Sequence, residues 1–150
     1  MRDPIDEMVA NWRKKDDALN PGATASDLDR FEEDFQGRLP EDFRKLYGLC
    51  DGMPDLLVDC TFLALWPLER IREDSGVWWS LEFSSLCITF ADAMISAPNF
   101  TLRIPPAGPA TIIATWWNFE LAQQEPVANS VTEFAKKHLA GDLPGPLYFK

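Results

Sequence analysis

Residues 39–71 carry the change from helix to sheet and read LPEDFRKLYGLCDGMPDLLVDCTFLALWPLERI. The first part predicts a helix, because Pro40 suits a first helical turn and apolar residues recur behind it at helical spacing. This apolar stripe consists of Leu39, Phe43, Leu46 and Tyr47. Asp51 and Gly52 then favour a turn. The apolar run 61–66 has the length of a buried strand, and its continuation predicts a short helix.

Two further helices are predicted upstream of this stretch. Asp3 followed by Pro4 forms an N-cap with proline at the first helical position. The stripe behind it consists of Ile5, Met8, Val9 and Trp12. Thr24 and Asp27 have the spacing of a capping box, which predicts the start of the second helix. Its buried side consists of Leu28, Phe31 and Phe35, and Gly37 is the predicted stop.

Downstream of residue 71 the pattern predicts strands. Residues 86–90, 99–104 and 111–117 are the candidates, and the last is rich in β-branched and aromatic side chains. The mostly polar stretch 72–85 is predicted to be a loop. A second capping box, Ser130 with Glu133, starts a final helix that ends at Gly141.

The order of helices, strands and one last helix predicts an α+β fold and argues against repeated βαβ units. We expect residues 1–150 to form a single domain, with 141–150 as an extended C-terminal strap.

The net charge is −10, with 14 basic and 24 acidic residues among 150. It argues against a phosphate-backbone partner, so we expect no direct nucleic-acid binding. No apolar run is long enough to span a membrane, and the N-terminus lacks a signal-peptide pattern. Three cysteines without a pairing pattern favour a reducing compartment, so we expect a cytoplasmic protein. The oligomeric state stays open.

The residues offer little catalytic chemistry. The only histidine, His138, lies beside two lysines near a helix end and is predicted to complement the helix dipole. Cys50, Cys60 and Cys87 lack metal-ligand spacing and are predicted to be small buried hydrophobes. No phosphate-binding glycine motif is present. We therefore predict no catalytic residue, no metal site and no cofactor. A carboxylate-based enzyme remains a distant alternative.

The stretch from Thr24 to Ile71 resembles the SUKH superfamily, the group around the yeast cell-wall-synthesis regulator of the Smi/Knr type. The resemblance is carried by Phe31-Glu32, Gly37 to Phe43, Tyr47, Asp51-Gly52-Met53 and Trp66 to Ile71. The last helix, Ser130 to Leu139, also resembles the closing helix of that family. The resemblance implies a central, largely antiparallel sheet flanked by N-terminal helices and a C-terminal helix.

The same resemblance implies a non-enzymatic binding protein. Most bacterial members look like immunity proteins of polymorphic toxin systems that neutralise a cognate toxin, often a nuclease. A nuclease has a basic cleft, which an acidic protein complements. The alternative is a SUKH-type regulatory adaptor with a housekeeping protein partner.

The acidity is concentrated in residues 51–100, which carry 8 acidic and 2 basic residues. This third is therefore the predicted partner surface, with the apolar anchor supplied by one of two adjacent tryptophans. The candidate residues are Asp51, Asp55, Asp59, Glu69, Glu73, Asp74, Trp78 and Trp79. A second tryptophan pair, Trp116-Trp117, is expected to have one member outside the main core. The alternative is that the acidity only maintains solubility.

Overall fold

The fold is seen in a computed structural model that describes residues 2–54, 57–75, 78–80, 85–93, 98–118 and 121–144. Its helices are α1 (Pro4–Lys14), α2 (Ala25–Phe35), α3 (Glu41–Leu49), α4 (Leu68–Arg70) and α5 (Val131–Ala140). A π-helical turn, Ile71–Ser75, directly continues α4. None of the helices in the described residues is long and apolar enough to cross a membrane.

The strands are β1 (Leu63–Leu65), β2 (Trp78–Ser80), β3 (Ser85–Ala93), β4 (Asn99–Ile104), β5 (Thr111–Asn118) and β6 (Leu121–Ala128). They pair in the order β1-β3-β4-β5-β6, and every pair is antiparallel. The short strands β1 and β2 both pair with β3, one at each end of it. The predicted α+β fold, an antiparallel sheet accompanied by N-terminal helices and a C-terminal helix, is confirmed.

Local signals explain where the helices begin. Asp3 accepts backbone hydrogen bonds from Ile5 and Asp6, at 2.8 and 3.4 Å. In the capping box of α2, Thr24 Oγ1 accepts from the Asp27 N–H, and Asp27 Oδ2 accepts from the Thr24 N–H. Each carboxylate or hydroxyl satisfies an N–H that the first turn of a helix leaves without an internal partner.

The core lies between the helices and one face of the sheet and is dominated by aromatic side chains. Phe43 of α3 stacks on Tyr47 at 4.6 Å and meets Phe90 of β3 edge to face at 6.1 Å. Phe90 in turn contacts Phe134 of α5 at 5.3 Å. The fully buried Tyr47 donates its hydroxyl proton to the Trp66 carbonyl at 2.6 Å. A polar group in the core is thereby satisfied at the end of β1.

Four details differ from the sequence predictions. The predicted loop 72–85 contains most of the π-helical turn, the strand β2 and the first residue of β3, so that prediction is wrong for residues 72–75, 78–80 and 85. The strand β6 was not predicted. β1 is shorter than the predicted run 61–66, because Phe62 has a left-handed φ of 67° that extended backbone does not allow. The helix α2 ends at Gln36, which takes the left-handed conformation in place of Gly37.

Only the first residues of the predicted C-terminal strap belong to the described chain. Gly141 closes α5 in the left-handed conformation, as predicted, and Leu143 packs against the core. Residues 145–150 lie outside the described residues.

Candidate protein-binding surface

Exposed carboxylates gather where α2 lies next to α4 and its π-helical turn. We call this surface the acidic face; its exposed carboxylates are Asp27, Asp29, Glu33, Asp34, Glu69 and Glu73. An ion pair joins the two elements, since Arg72 Nε lies 3.1 Å from Asp34 Oδ2. The guanidinium of Arg72 also lies 5.4 Å from the Phe31 ring centre. The acidic face therefore combines the predicted middle third of the chain with α2, which the charge count alone did not include.

Asp51 forms the inner edge of the acidic face. Its side chain is half-buried, and Oδ1 accepts the backbone N–H of Leu68 at 2.8 Å, so it caps α4 from 17 residues away. Burial raises the pKa of Asp51, and the carboxylates of Asp27 and Glu69 raise it further. These effects show that negative charges from three separate segments act on one another here.

Two arginines, Arg44 and Arg72, pair with carboxylates of α2 at the acidic face. Arg44 pairs with Glu32 at 2.6 Å and with Asp29 at 3.0 Å. Such pairs use part of the carboxylate charge. Of the six exposed carboxylates, Asp29 and Asp34 form ion pairs within the described residues, whereas the other four do not: Asp27, Glu33, Glu69 and Glu73.

Asp59 shows a carboxylate in the opposite situation, because only 4% of it is exposed. Its Oδ2 accepts from Trp12 Nε1 at 2.9 Å and lies 2.7 Å from His138 Nε2. Its Oδ1 accepts from the Thr61 N–H, the Thr61 hydroxyl and the Leu63 N–H, at 2.8, 2.7 and 3.0 Å. We call this group the Asp59 clasp, because it fastens the segment before β1 to both α1 and α5.

The electrostatics of the Asp59 clasp follow from these contacts. Burial raises the pKa of Asp59, but the hydrogen bonds from His138, Thr61, Trp12 and Leu63 outweigh burial and hold the pKa well below its ordinary value. Asp59 is therefore ionised at neutral pH although it is buried. The rings of Trp12 and His138 also meet edge to face at 5.6 Å, which packs the clasp tightly.

His138 has a partner that the sequence did not indicate. It lies in the last turn of α5, where it was predicted to complement the helix dipole, and its Nε2 also lies 2.7 Å from Oδ2 of Asp59, 79 residues away in sequence. Only 11% of its side chain is exposed. No local pattern marks such a partner, because the contact forms only when α5 packs against α1.

The segment held by the Asp59 clasp displays apolar side chains to solvent. Leu57, Val58 and Phe62 are 44%, 39% and 54% exposed. They are the large exposed hydrophobic residues of the described chain. We call this segment the 57–62 loop. The sequence analysis placed carboxylates and tryptophans on the partner surface and did not single out these three residues.

The predicted partner-binding residues fall into three groups. Glu69 and Glu73 are exposed on the acidic face. Asp51 and Asp59 have their carboxylates in the internal hydrogen bonds given above. Asp55 lies outside the described residues, as do the side chains of Asp74, Trp78 and Trp79, whose backbone lies in the π-helical turn and in β2. In the other tryptophan pair Trp116 is buried, and the side chain of Trp117 is outside the description.

The cysteines are only partly as predicted. Cys50 is buried, and burial raises its pKa to about 11. Cys87 is half-buried, with a raised pKa from the same cause. Cys60 is exposed, so its prediction as a buried hydrophobe is wrong; it belongs to the 57–62 loop, and Lys15 Nζ lies 3.3 Å from its sulfur. Within the described ranges, no group of three His, Cys, Asp or Glu side chains is arranged to hold a metal ion.

The fold and this surface define an α+β protein with a strongly acidic helical face. The family model of the SMI1/KNR4 family (SUKH-1) matches residues 22–137, more than three quarters of the chain, so the chain belongs to that family. No curated protein matches the sequence. The matched region contains the acidic face and the 57–62 loop, whereas two members of the Asp59 clasp, Trp12 and His138, lie just outside it. Membership in this family is consistent with a protein that binds another protein.

Proposed function

We propose that this chain is an immunity protein that binds a cognate polymorphic toxin in the cytoplasm and neutralises it. The observation that carries the proposal is the acidic face, which places six exposed carboxylates on α2, α4 and the turn after α4. Membership in the SMI1/KNR4 family (SUKH-1) supports a binding role of this kind.

The acidic face favours a partner with a basic surface. Complementary charge attracts the partner over a screening distance of about 8 Å and raises the association rate. A nuclease toxin fits, because it needs a basic cleft to hold the phosphate backbone of its substrate. Carboxylates that occupy this cleft compete with phosphates, so binding alone is enough to block the toxin.

We also infer that the chain acts by binding and not by catalysis. The only histidine of the sequence is His138, and its Nε2 lies 2.7 Å from the buried Asp59. A histidine held in this way supports the fold and is poorly placed to exchange protons with a substrate.

The test is co-expression with the protein encoded immediately upstream of this chain's gene. We expect the two proteins to copurify, and we expect this chain to restore growth of cells that express the upstream protein. Loss of the complex with rising salt would support contact through the acidic face. If the upstream protein neither copurifies nor loses toxicity, the proposal is wrong, and the regulatory adaptor becomes the better interpretation.

A matched pair of variants locates the contact. Glu73→Gln removes one charge from the acidic face, and Glu7→Gln removes one exposed charge from α1. We expect Glu73→Gln to slow association and to reduce its salt dependence more than Glu7→Gln does, because it removes charge from the proposed contact surface. The two variants are matched, since they differ only in where the charge is lost. Equal association rates for both variants would mean that the acidity only maintains solubility.

A further inference from the structure

The 57–62 loop combines exposure with rigidity. Single exposed apolar residues are common on protein surfaces, but here three lie within six residues. Five hydrogen bonds to the Asp59 carboxylate hold the centre of the loop in place. Two backbone hydrogen bonds add to them, since Asp59 N–H donates to the Leu63 carbonyl at 2.8 Å and Phe62 N–H to the Asp59 carbonyl at 3.0 Å. The apolar side chains therefore stand on a fixed support.

Phe62 carries an additional cost. Its φ of 67° lies in the left-handed region, which is strained for a bulky side chain. The residue is 54% exposed, so burial in the free chain does not compensate this strain. Strained backbone of this kind is concentrated at functional sites such as ligand-binding positions.

Chain connectivity places the 57–62 loop near the acidic face. β1 is only three residues long, and α4 begins three residues after it. Phe62 and Glu69 are seven residues apart, so their Cα atoms are separated by at most about 25 Å. A standard interface buries about 800 Å² on each partner, a patch about 30 Å across. One interface of ordinary size therefore has room for both.

We propose that Leu57, Val58 and Phe62 form the apolar anchor of the toxin interface and insert into an apolar pocket beside the toxin's basic surface. This rests on the proposed function. The anchor supplies the desolvated centre of the contact, and the acidic face supplies the attraction at its edge. Lys15 Nζ lies 3.3 Å from the Cys60 sulfur and places a positive charge on the α1 side of the loop. This charge disfavours a basic surface on that side, so the basic part of the toxin lies on the opposite side, toward α4.

A second copy of this chain is a less suitable partner for the 57–62 loop than the toxin. Three side chains cover only a small part of the surface that each side of a stable dimer buries. Two copies would also bring together chains that each have a net charge of −10. The anchor is therefore assigned to a partner of opposite charge.

The experiment measures binding kinetics with the protein encoded immediately upstream as the probe. Phe62→Ser is expected to speed dissociation about tenfold to thirtyfold and to change association little. The double variant Leu57→Ser and Val58→Ser is expected to act in the same direction. The control is Ala107→Ser, an exposed apolar position in the turn between β4 and β5, and it should leave both rates unchanged.

The outcomes separate this proposal from the proposed function. If wild-type chain binds and neither loop variant dissociates faster, the anchor is wrong and the toxin-binding function stands. If wild-type chain does not bind the upstream protein, both are wrong. A wild-type dimer in sedimentation that Phe62→Ser converts to a monomer assigns the loop to self-association and also overturns the proposal.

Stability measurements exclude a merely structural role for Phe62. Asn tolerates the left-handed region better than Phe, so Phe62→Asn is expected to keep or raise the melting temperature of the free chain while it weakens the complex. A melting temperature that falls by more than about 8 °C would show that Phe62 supports the fold, and would contradict the proposal.

Discussion

The acidic face and the Asp59 clasp use the same chemical group for opposite purposes. On the acidic face the carboxylates are exposed, and water and salt screen them, so they contribute little to stability and act over a distance. In the clasp one carboxylate is 4% exposed and fully hydrogen-bonded, so it acts only on its neighbours but strongly. The comparison teaches that burial and partners decide what a negative charge does, and that a count of charges along the chain does not.

The largest expected effect is that of Asp59→Ala. It leaves Trp12 Nε1, His138 and the Leu63 N–H without their acceptor in a buried place. We expect a loss of about 3–5 kcal/mol in the free energy of unfolding, the usual result of removing one partner from a buried charged network. Urea denaturation measures it. Glu69→Ala, the matched change on the acidic face, should stay within about 0.5 kcal/mol. Similar losses for both variants would remove the distinction between the two regions.

The pH dependence of stability should also distinguish the Asp59 clasp from the acidic face. The pKa of Asp59 is lower in the folded chain than in the unfolded chain. Its stabilising contribution is therefore complete above the unfolded value of about 3.9 and is lost as the pH falls below it toward the folded value. Asp51 has a raised pKa and contributes with the opposite sign, gaining stability on protonation. We expect denaturation midpoints to fall steeply below about pH 4, and to fall less in Asp59→Asn. If the denaturation midpoint of Asp59→Asn fell with pH as steeply as that of the wild-type chain, the acid sensitivity would not come from Asp59.

A smaller effect is expected from the capping box that begins α2. Thr24 Oγ1 accepts the Asp27 N–H at 3.1 Å, so Thr24→Ala should cost about 1 kcal/mol in the free energy of unfolding. Thr24→Ser keeps the acceptor and serves as the control. A loss in Thr24→Ala of only about 0.2 kcal/mol or less would show that tertiary contacts alone hold the N-terminus of α2.

The smallest effect on stability is expected from Glu69→Gln combined with Glu73→Gln. Both side chains are exposed, so the free energy of unfolding should change by less than about 0.5 kcal/mol. Thermal denaturation at low and high salt is the measurement. A clear gain at low salt that disappears at high salt would show that repulsion within the acidic face already strains the free protein.

The sequence predicted the helices well because their signals are local. The stripe of α1 and the capping box of α2 lie within a few residues of one another, and the structure has both. β6 was missed because Gln124, Glu125 and Pro126 are polar or poor strand formers, and only pairing with β5 makes that segment a strand. β2 was missed in the same way, since its three residues are a strand only beside β3.

The candidate surface was predicted only in its charge. Exposed Glu69 and Glu73 follow from a charge count, but the contribution of α2 depends on the contact of α2 with the π-helical turn through Arg72. The Asp59 clasp joins residues 47 and 79 positions apart, and no spacing rule reaches that far. The exposure of Phe62 follows from its backbone conformation, which its sequence neighbours did not indicate.

The exposed proline of β6 has a consequence for the behaviour of this protein at high concentration. Among the described strands β6 pairs with β5 and is the last strand of the sheet order. Pro126 has no N–H to offer there, and the exposed carboxylate of Glu125 sits next to it. Both features discourage the edge-to-edge pairing that begins aggregation. A chain with Pro126→Val should therefore express with a larger insoluble fraction, although the folded monomer changes little.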